Sequence, residues 1–393
     1  MDHFIPLSVP NFEGQEVAYV TKAVEEGWVS TGGAYITEFE EQMASFLHVE
    51  KAVAVQSGTA ALHLALRECG VMPGDAVFVP TITFIAAVNP VAYQFANPIF
   101  VDADDSLCMN PAKLRDYCEN HCQLIDGVLT TKEGNHPVKA IVVVHVFGNM
   151  ADMEAIMDIA DTYHLRVVED ATEALGTKYV TGRYAGKYAG TIGDFGAFSF
   201  NGNKIITTGG GGMLVAKNIE EANHVQYIST QAKDDHLFYI HDEIGFNYRM
   251  TNVQAALGVA QMEELPDFLR RKRENHAYYR KLFKGEPLAS LMEFREGTES
   301  NSWFYSLNVD MEKLSIDART LVERLAEKKI GTRLIWGLIS EQKPYRECAR
   351  TTMGKAPYYA GRVLNIPCST NLTKEEMDYV AAGIKEVLKE AAV

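Results

Sequence analysis

The sequence lacks any apolar run long enough to span a bilayer. Such a span needs roughly 18 successive apolar residues, and the longest runs, such as Ala140 to Val144, are only strand-sized. No membrane partner is expected. Met1 to Pro10 lacks the basic start and apolar centre of a secretory signal. Cysteine is scarce, six in 393 residues with no C-x-x-C pair, which excludes a disulfide framework. Cys118, His121 and Cys122 lie close together. A metal site is conceivable there, but reduced thiols are the simpler expectation, and no metal is expected. These features point to a reducing, cytoplasmic compartment. Positive charge is in deficit, with 37 Lys plus Arg against 52 Asp plus Glu and a formal charge of -15. Such a chain repels phosphate backbones, which argues against a nucleic-acid partner. A small anion remains admissible, because one site can be locally positive on an acidic surface.

What is present is typical of a globular protein, 47% hydrophobic and 23% charged. The length suffices for a large core and suggests two domains. Short, mostly continuous apolar runs predict strands at Lys51–Gln56, Ala76–Pro80, Pro98–Val101, Lys139–Val146, Leu165–Glu169, Gly196–Phe200 and Gly212–Ala216. Helical patterns fall between many of them, at Thr59–Cys69, Ile85–Phe95 and Asp152–Tyr163. Alternating strands and helices predict an α/β fold with a mostly parallel, doubly wound sheet. Cys122 to Pro137 reads as a polar surface insertion. After about residue 250 the texture changes. A helix is expected from Asn252 to Glu264, interrupted by Pro266, and a charged helical stretch follows through Lys284. Strands are expected at Trp303–Val309 and Thr332–Trp336, and helices at Asp317–Lys329 and Lys374–Glu390, the last with a Thr373/Glu376 capping box. The expected division is a large domain over 1–255 and a small α+β domain over 256–393.

Four stretches could carry chemistry. Gly193 to Val215 contains Ser199, Lys204 and four successive glycines, Gly209 to Gly212. Such a run is costly unless backbone must turn tightly or approach a ligand. A lysine in that context can lose its proton by desolvation and act as a nucleophile, although a lysine in a turn is also an ordinary solvated residue. In Leu165 to Gly176 an apolar strand ends in Glu169 and Asp170, with Glu173 just beyond. Ligands of doubly wound sheets bind beyond the carboxyl ends of strands, so Asp170 could pair with a protonated ring nitrogen or simply cap a helix. Ser57, Gly58 and Thr59 open a helix, where free N–H groups attract anions and where Ser57 could equally be a plain N-cap. Phe84 follows a strand and could cover a planar ring or fill the core.

Taken in order, these stretches resemble one family. S-G-T-A-A-L-H at Ser57–His63, P-T-x-T-F at Pro80–Phe84, V-H-x-F-G at Val144–Gly148, E-D-A-T-E-A-L-G at Glu169–Gly176, S-F-x-G-N-K at Ser199–Lys204 and G-F-N-Y-R-M at Gly245–Met250 are similar to motifs of fold type I pyridoxal-phosphate (PLP) enzymes, specifically the nucleotide-sugar aminotransferases. The resemblance implies a seven-stranded, mostly parallel sheet with helices on both faces. It implies that Lys204 binds PLP covalently and that Asp170 keeps the pyridine nitrogen protonated. Phe84 would stack on the ring, Gly58 and Thr59 with the Ser199 hydroxyl would hold the phosphate, and Ser57 and Glu173 would complete the cofactor residues. Many relatives carry His or Gln where Glu173 stands. Asn247 matches an asparagine contributed by the neighbouring subunit, which implies a homodimer with shared active sites, and Arg249 would support that region. Trp28, Arg249, Arg333 and Trp336 are candidate substrate residues.

N-G-N-K-I-I-T-T at Asn201–Thr208 and R-x-I-W-G-L at Arg333–Leu338 resemble the subgroup that makes UDP-4-amino-4,6-dideoxy-N-acetylglucosamine, a precursor of bacillosamine and legionaminic acid. The implied reaction moves an amino group from L-glutamate to C4 of a UDP-4-keto-6-deoxy-N-acetylhexosamine. Lys204 argues against a related dehydratase branch that carries histidine there. The alternatives are a GDP-perosamine-type or 3-keto-sugar aminotransferase, or a non-catalytic PLP-binding regulatory protein.

Overall fold

The computed structural model describes residues 1, 3–235 and 237–393. Seven strands form the main sheet: β1 (Ala52–Val55), β2 (Ala76–Pro80), β3 (Asn97–Val101), β4 (Val138–Val144), β5 (Arg166–Asp170), β6 (Phe195–Ser199) and β7 (Gly212–Ala216). Their spatial order is β1-β7-β6-β5-β4-β2-β3. All neighbours pair in parallel except β7, which is antiparallel to both β1 and β6. The runs are continuously apolar because the sheet is covered on both faces. Ala54, Phe78, Ile141, Val167 and Met213 join one apolar cluster, while their chain neighbours Val53, Val77, Val142, Val168 and Leu214 join another.

Helices α1 (Glu16–Glu25), α2 (Ala34–Leu47), α3 (Gly58–Glu68), α4 (Pro111–His121), α5 (Met153–Tyr163), α6 (Ile219–Ser229) and α7 (Asn252–Leu282) accompany this sheet. Ala60, Ala61, Leu64 and Ala65 of α3 pack in one cluster, and Met153, Ile156 and Ile159 of α5 in the other. The two helices therefore cover opposite faces of the sheet.

Two expected elements differ. The helix expected over Ile85–Phe95 is a 3-10 turn, Ile85–Ala87, followed by a short helix, Asn89–Tyr93, with Pro90 in its first turn. Proline suits a helix start and interrupts a helix already running. Pro266, by contrast, does not end its helix. α7 runs through it for 31 residues, and the burial of Leu265, Phe268 and Leu269 on either side offsets the one lost hydrogen bond. Position 255 consequently falls inside α7.

Beyond α7, strands β8 (Ala289–Leu291), β9 (Tyr305–Val309), β10 (Arg333–Leu334) and β11 (Val363–Ile366) form an antiparallel sheet in the order β8-β9-β11-β10. Helices α8 (Ala318–Glu327) and α9 (Lys374–Ala391) complete this part, and α9 opens with the expected capping box. The stretch after α4 forms a hairpin of Cys122–Ile125 and Val128–Thr131. Burial pushes the Cys118 and Cys122 thiols up to about 12 and about 11, so both stay protonated. Among the described residues no His, Cys, Asp or Glu group is suited to a metal ion, and no helix is long and apolar enough to cross a membrane.

Candidate active site

Strands β4, β5 and β6 are parallel, so their carboxyl ends share one edge of the sheet. Asp170 is the last residue of β5. Its carboxylate accepts the Thr172 N–H at 3.0 Å and is only 4% exposed. Burial pushes the carboxyl upward in pKa, opposed by the Thr172 hydrogen bonds and the Lys204 charge. The alternation of the strand sends Glu169 the other way. Its carboxylate accepts the N–H groups of Gly190, Ile192 and Gly193 and pairs with His145 Nε2 at 2.9 Å. His145 Nδ1 accepts the Ala151 N–H, so Nε2 carries the proton. Glu169 thus braces the loop before β6 and does not line the cavity.

Lys204 lies in the turn after β6. Its Nζ stands 3.9 Å from Glu173 Oε1 and 4.3 Å from the centre of the Trp303 ring. Burial pushes the Lys204 ammonium down in pKa, opposed by the charges of Glu173 and Asp170. Glu173 is pushed up to about 7, burial outweighing the Lys204 charge and the hydrogen bond from Phe147. The Phe147 N–H donates to Glu173 Oε2 at 2.8 Å.

Helix α3 supplies an anion site. The Ser57 hydroxyl caps it by accepting the Ala60 N–H at 3.1 Å, so Ser57 acts as the plain cap. The N–H groups of Gly58 and Thr59 lie in the first turn, where the helix itself offers no acceptor. A Cβ on Gly58 would stand 2.8 Å from Thr172 Cγ2 and 3.0 Å from Ser199 Cβ. The helix start is therefore packed directly against the carboxyl ends of β5 and β6, where Asp170 and Ser199 lie. The glycine run serves the same closeness, since a Cβ on Gly212 would stand 2.4 Å from the Ser57 carbonyl carbon.

A cavity of about 540 Å³ gathers Ser57, Gly58, Thr59, Phe84, Asp170, Glu173, Ser199, Lys204, Arg333 and Trp336. Phe84 is 56% exposed at its wall, available to cover a ring. Three expected residues lie elsewhere. Arg249 is not a wall residue: its guanidinium is taken by both oxygens of Glu40 and by the Ala54 carbonyl, a structural clamp on β1. Trp28 lines a separate surface cleft with Tyr35 and Asn252, its carbonyl accepting Asn252 Nδ2 at 2.6 Å. Asn247 is exposed and bridges Thr230, outside the cavity of its own chain.

The cavity also uses residues that sequence reasoning did not single out. Trp303, Phe147, Thr172 and Asn203 line it. Phe147 sits at φ 55° beside Gly148 at φ 86°, and its ring lies 4.7 Å from that of Trp336. Its motif, V-H-x-F-G, was visible, but its place in the site was not. A buried amine, a buried carboxylate, a helix N-terminus and an aromatic face suit a flat, protonated heteroaromatic ring bearing a phosphate and an aldehyde. Gly58 and Thr59 line the cavity at the start of α3, where first-turn N–H groups suit the phosphate of PLP.

The chain matches the DegT/DnrJ/EryC1/StrS aminotransferase family over residues 10–385. It is 36% identical over 386 residues to the GDP-perosamine synthase of Escherichia coli O157:H7, with 98% of each chain covered. Its fold is similar to a DegT DnrJ EryC1 StrS aminotransferase from Brucella abortus, with 27% identity, 95% of each chain covered and a TM-score of 0.85. It is also similar to Spr1654 from Streptococcus pneumoniae in its PLP form, with 24% identity, 100% of each chain covered and a TM-score of 0.88.

Proposed function

The chain belongs to the DegT/DnrJ/EryC1/StrS aminotransferase family, a PLP-dependent transaminase acting on nucleotide sugars, and from that premise we propose that its acceptor is a GDP-linked keto sugar. When bound, PLP supplies a carbonyl that takes up the amino group and a ring that withdraws electrons. The residues around it do the rest. Asp170 accepts the ring N–H and keeps that nitrogen protonated. The α3 N-terminus, with Gly58, Thr59 and Ser199, holds the phosphate. Lys204 takes the proton from Cα of the amino donor, L-glutamate, and returns one to the sugar carbon that receives the amine. Phe84 covers the ring, and Asn247 of each subunit reaches the phosphate site of a second copy.

The likeness to GDP-perosamine synthase across nearly the whole of both chains supports the GDP-linked sugar. A second reading, a UDP-4-keto-6-deoxy-N-acetylhexosamine, is favoured by the two motifs at Asn201–Thr208 and Arg333–Leu338. Both contribute to the cavity, through Asn201, Asn203, Arg333 and Trp336. The PLP-loaded protein should be given L-glutamate and each keto sugar, with the amino sugar followed by mass spectrometry. Faster turnover of the GDP-linked sugar is expected, and faster turnover of the UDP-linked sugar would replace it. Lys204→Ala should abolish both transamination and the visible absorbance of lysine-bound PLP. Retained turnover would remove Lys204 from its role.

A further inference from the structure

Lys272 has no part in the reaction so far described, yet it is a lysine buried to 3% exposure on α7. No carboxylate pairs with it among the described residues. Its Nζ donates to the Trp303 carbonyl at 2.5 Å and to the Cys368 carbonyl, and lies 4.9 Å from the centre of the Tyr305 ring. Burying an ammonium in this way is expensive, and what it holds is the backbone of Trp303.

Trp303 is fixed from other directions as well. Its N–H donates to Asn301 Oδ1 at 2.9 Å. Asn301 Nδ2 in turn donates to the carbonyls of Glu173 and Leu175, both at 3.0 Å. The indole N–H donates at 2.8 Å to the carbonyl of Asn203, the residue just before Lys204. Ser302, just before Trp303, has φ 53°, a conformation uncommon outside glycine that persists only where its surroundings impose it. The outcome of these bonds is one contact, the Trp303 ring face 4.3 Å from Lys204 Nζ.

We propose that Trp303 is a positioning residue for Lys204, presenting its ring face to the amine, and that Lys272 anchors Trp303 through its backbone carbonyl. This rests on Lys204 being the reactive amine. The ring face favours the charged amine, against the burial that disfavours it. The ionisable groups facing Lys204 are Glu173 and Asp170, and Lys272 shares with it a small cavity lined by Asn203, Trp303 and Cys368. A desolvated cation–π contact is enough to move the amine's titration by about one pH unit.

The test is the titration of Lys204 in the full-length chain freed of PLP, read as pH-dependent acetylation by acetic anhydride with mass spectrometry. Trp303→Leu keeps the site apolar and removes the ring, so the Lys204 titration should move down by about one unit. Trp303→Phe keeps a ring face and should stay near wild type. An unmoved or raised titration in Trp303→Leu, or an equal shift in Trp303→Phe, would overturn the proposal. Lys272→Met also removes a positive charge, which alone would move Lys204 up, so a downward shift is expected only through loss of the anchor, and an unmoved or raised Lys204 would exclude Lys272 as the anchor. Should that variant not fold, Lys272→Leu, which likewise has no donor, should also move Lys204 down, and no downward shift in it would exclude the anchor equally. In the loaded enzyme Trp303→Leu should lower kcat with the keto-sugar KM unchanged. Failure of the wild-type chain to bind PLP would defeat the transaminase reading and leave the titration fully readable.

Discussion

Glu173 stands where a carboxylate's charge is costly to keep. Burial raises it from 4.5 to about 7, so the folded chain holds a proton there that the unfolded chain has released. The stability tied to this group is fully present below about 4.5 and is lost as pH rises through about 7. Glu173→Gln cannot ionise, but its carbonyl can still accept the Phe147 N–H. In PLP-free protein its stability relative to wild type should therefore rise with pH across that window, by about 1–3 kcal/mol. Denaturant melts at pH 5 and pH 7.5 would check this, and a difference independent of pH would contradict it. At this scale much of the site was legible. Asp170 could be placed because it ends an apolar strand, and Lys204 because it precedes a glycine run that only a close approach justifies. Trp303 could not be placed. Nothing local distinguishes it from the first residue of a strand, and its contact with Lys204 spans 99 residues of chain. Arg249 reads as a site residue from its motif, but its ion-pair partner, Glu40, is equally remote in sequence.

The meeting of α3 and β7 decides whether the anion site exists. β7 enters the sheet antiparallel to its neighbours, and its first residue, Gly212, lies against the backbone of Ser57 and Gly58. Gly212→Ala would place a methyl 2.4 Å from the Ser57 carbonyl carbon. Backbone cannot yield as a flexible side chain does, so α3 must move away from Asp170 and Ser199. A loss of about 1–3 kcal/mol of stability is expected, together with weaker PLP binding measured by fluorescence titration. Unchanged affinity would show that the close approach is not needed for the phosphate. The strands themselves were readable because continuous apolar runs of five or so residues report burial on both faces. Helix ends were less readable. Pro90 and Pro266 look alike in sequence, but one starts a short helix and the other sits inside a long one. The difference lies in tertiary burial around Pro266, which no local signal carries.

The whole molecule carries a formal charge of -15, and its expected ligands are phosphorylated. Such anions must be met by local donors, because the overall field opposes them. One expected donor, Asn247, is missing from the cavity of its own chain and is exposed instead. Near it, Leu237, Phe238, Tyr239 and Ile244 are also exposed, each by more than 65%. An apolar surface beside a displaced site residue fits a two-fold dimer in which each copy completes the other's phosphate site. Complementation tests this without a structure of the dimer. Lys204→Ala and Asn247→Ala should each be inactive. In a mixed dimer one site carries both lesions and the other carries neither. Refolding the two variants together should therefore restore up to roughly a quarter of wild-type activity, since half the dimers are mixed and each has one intact site. If Asn247 serves its own chain's site, every site in the mixture retains one lesion and no activity returns.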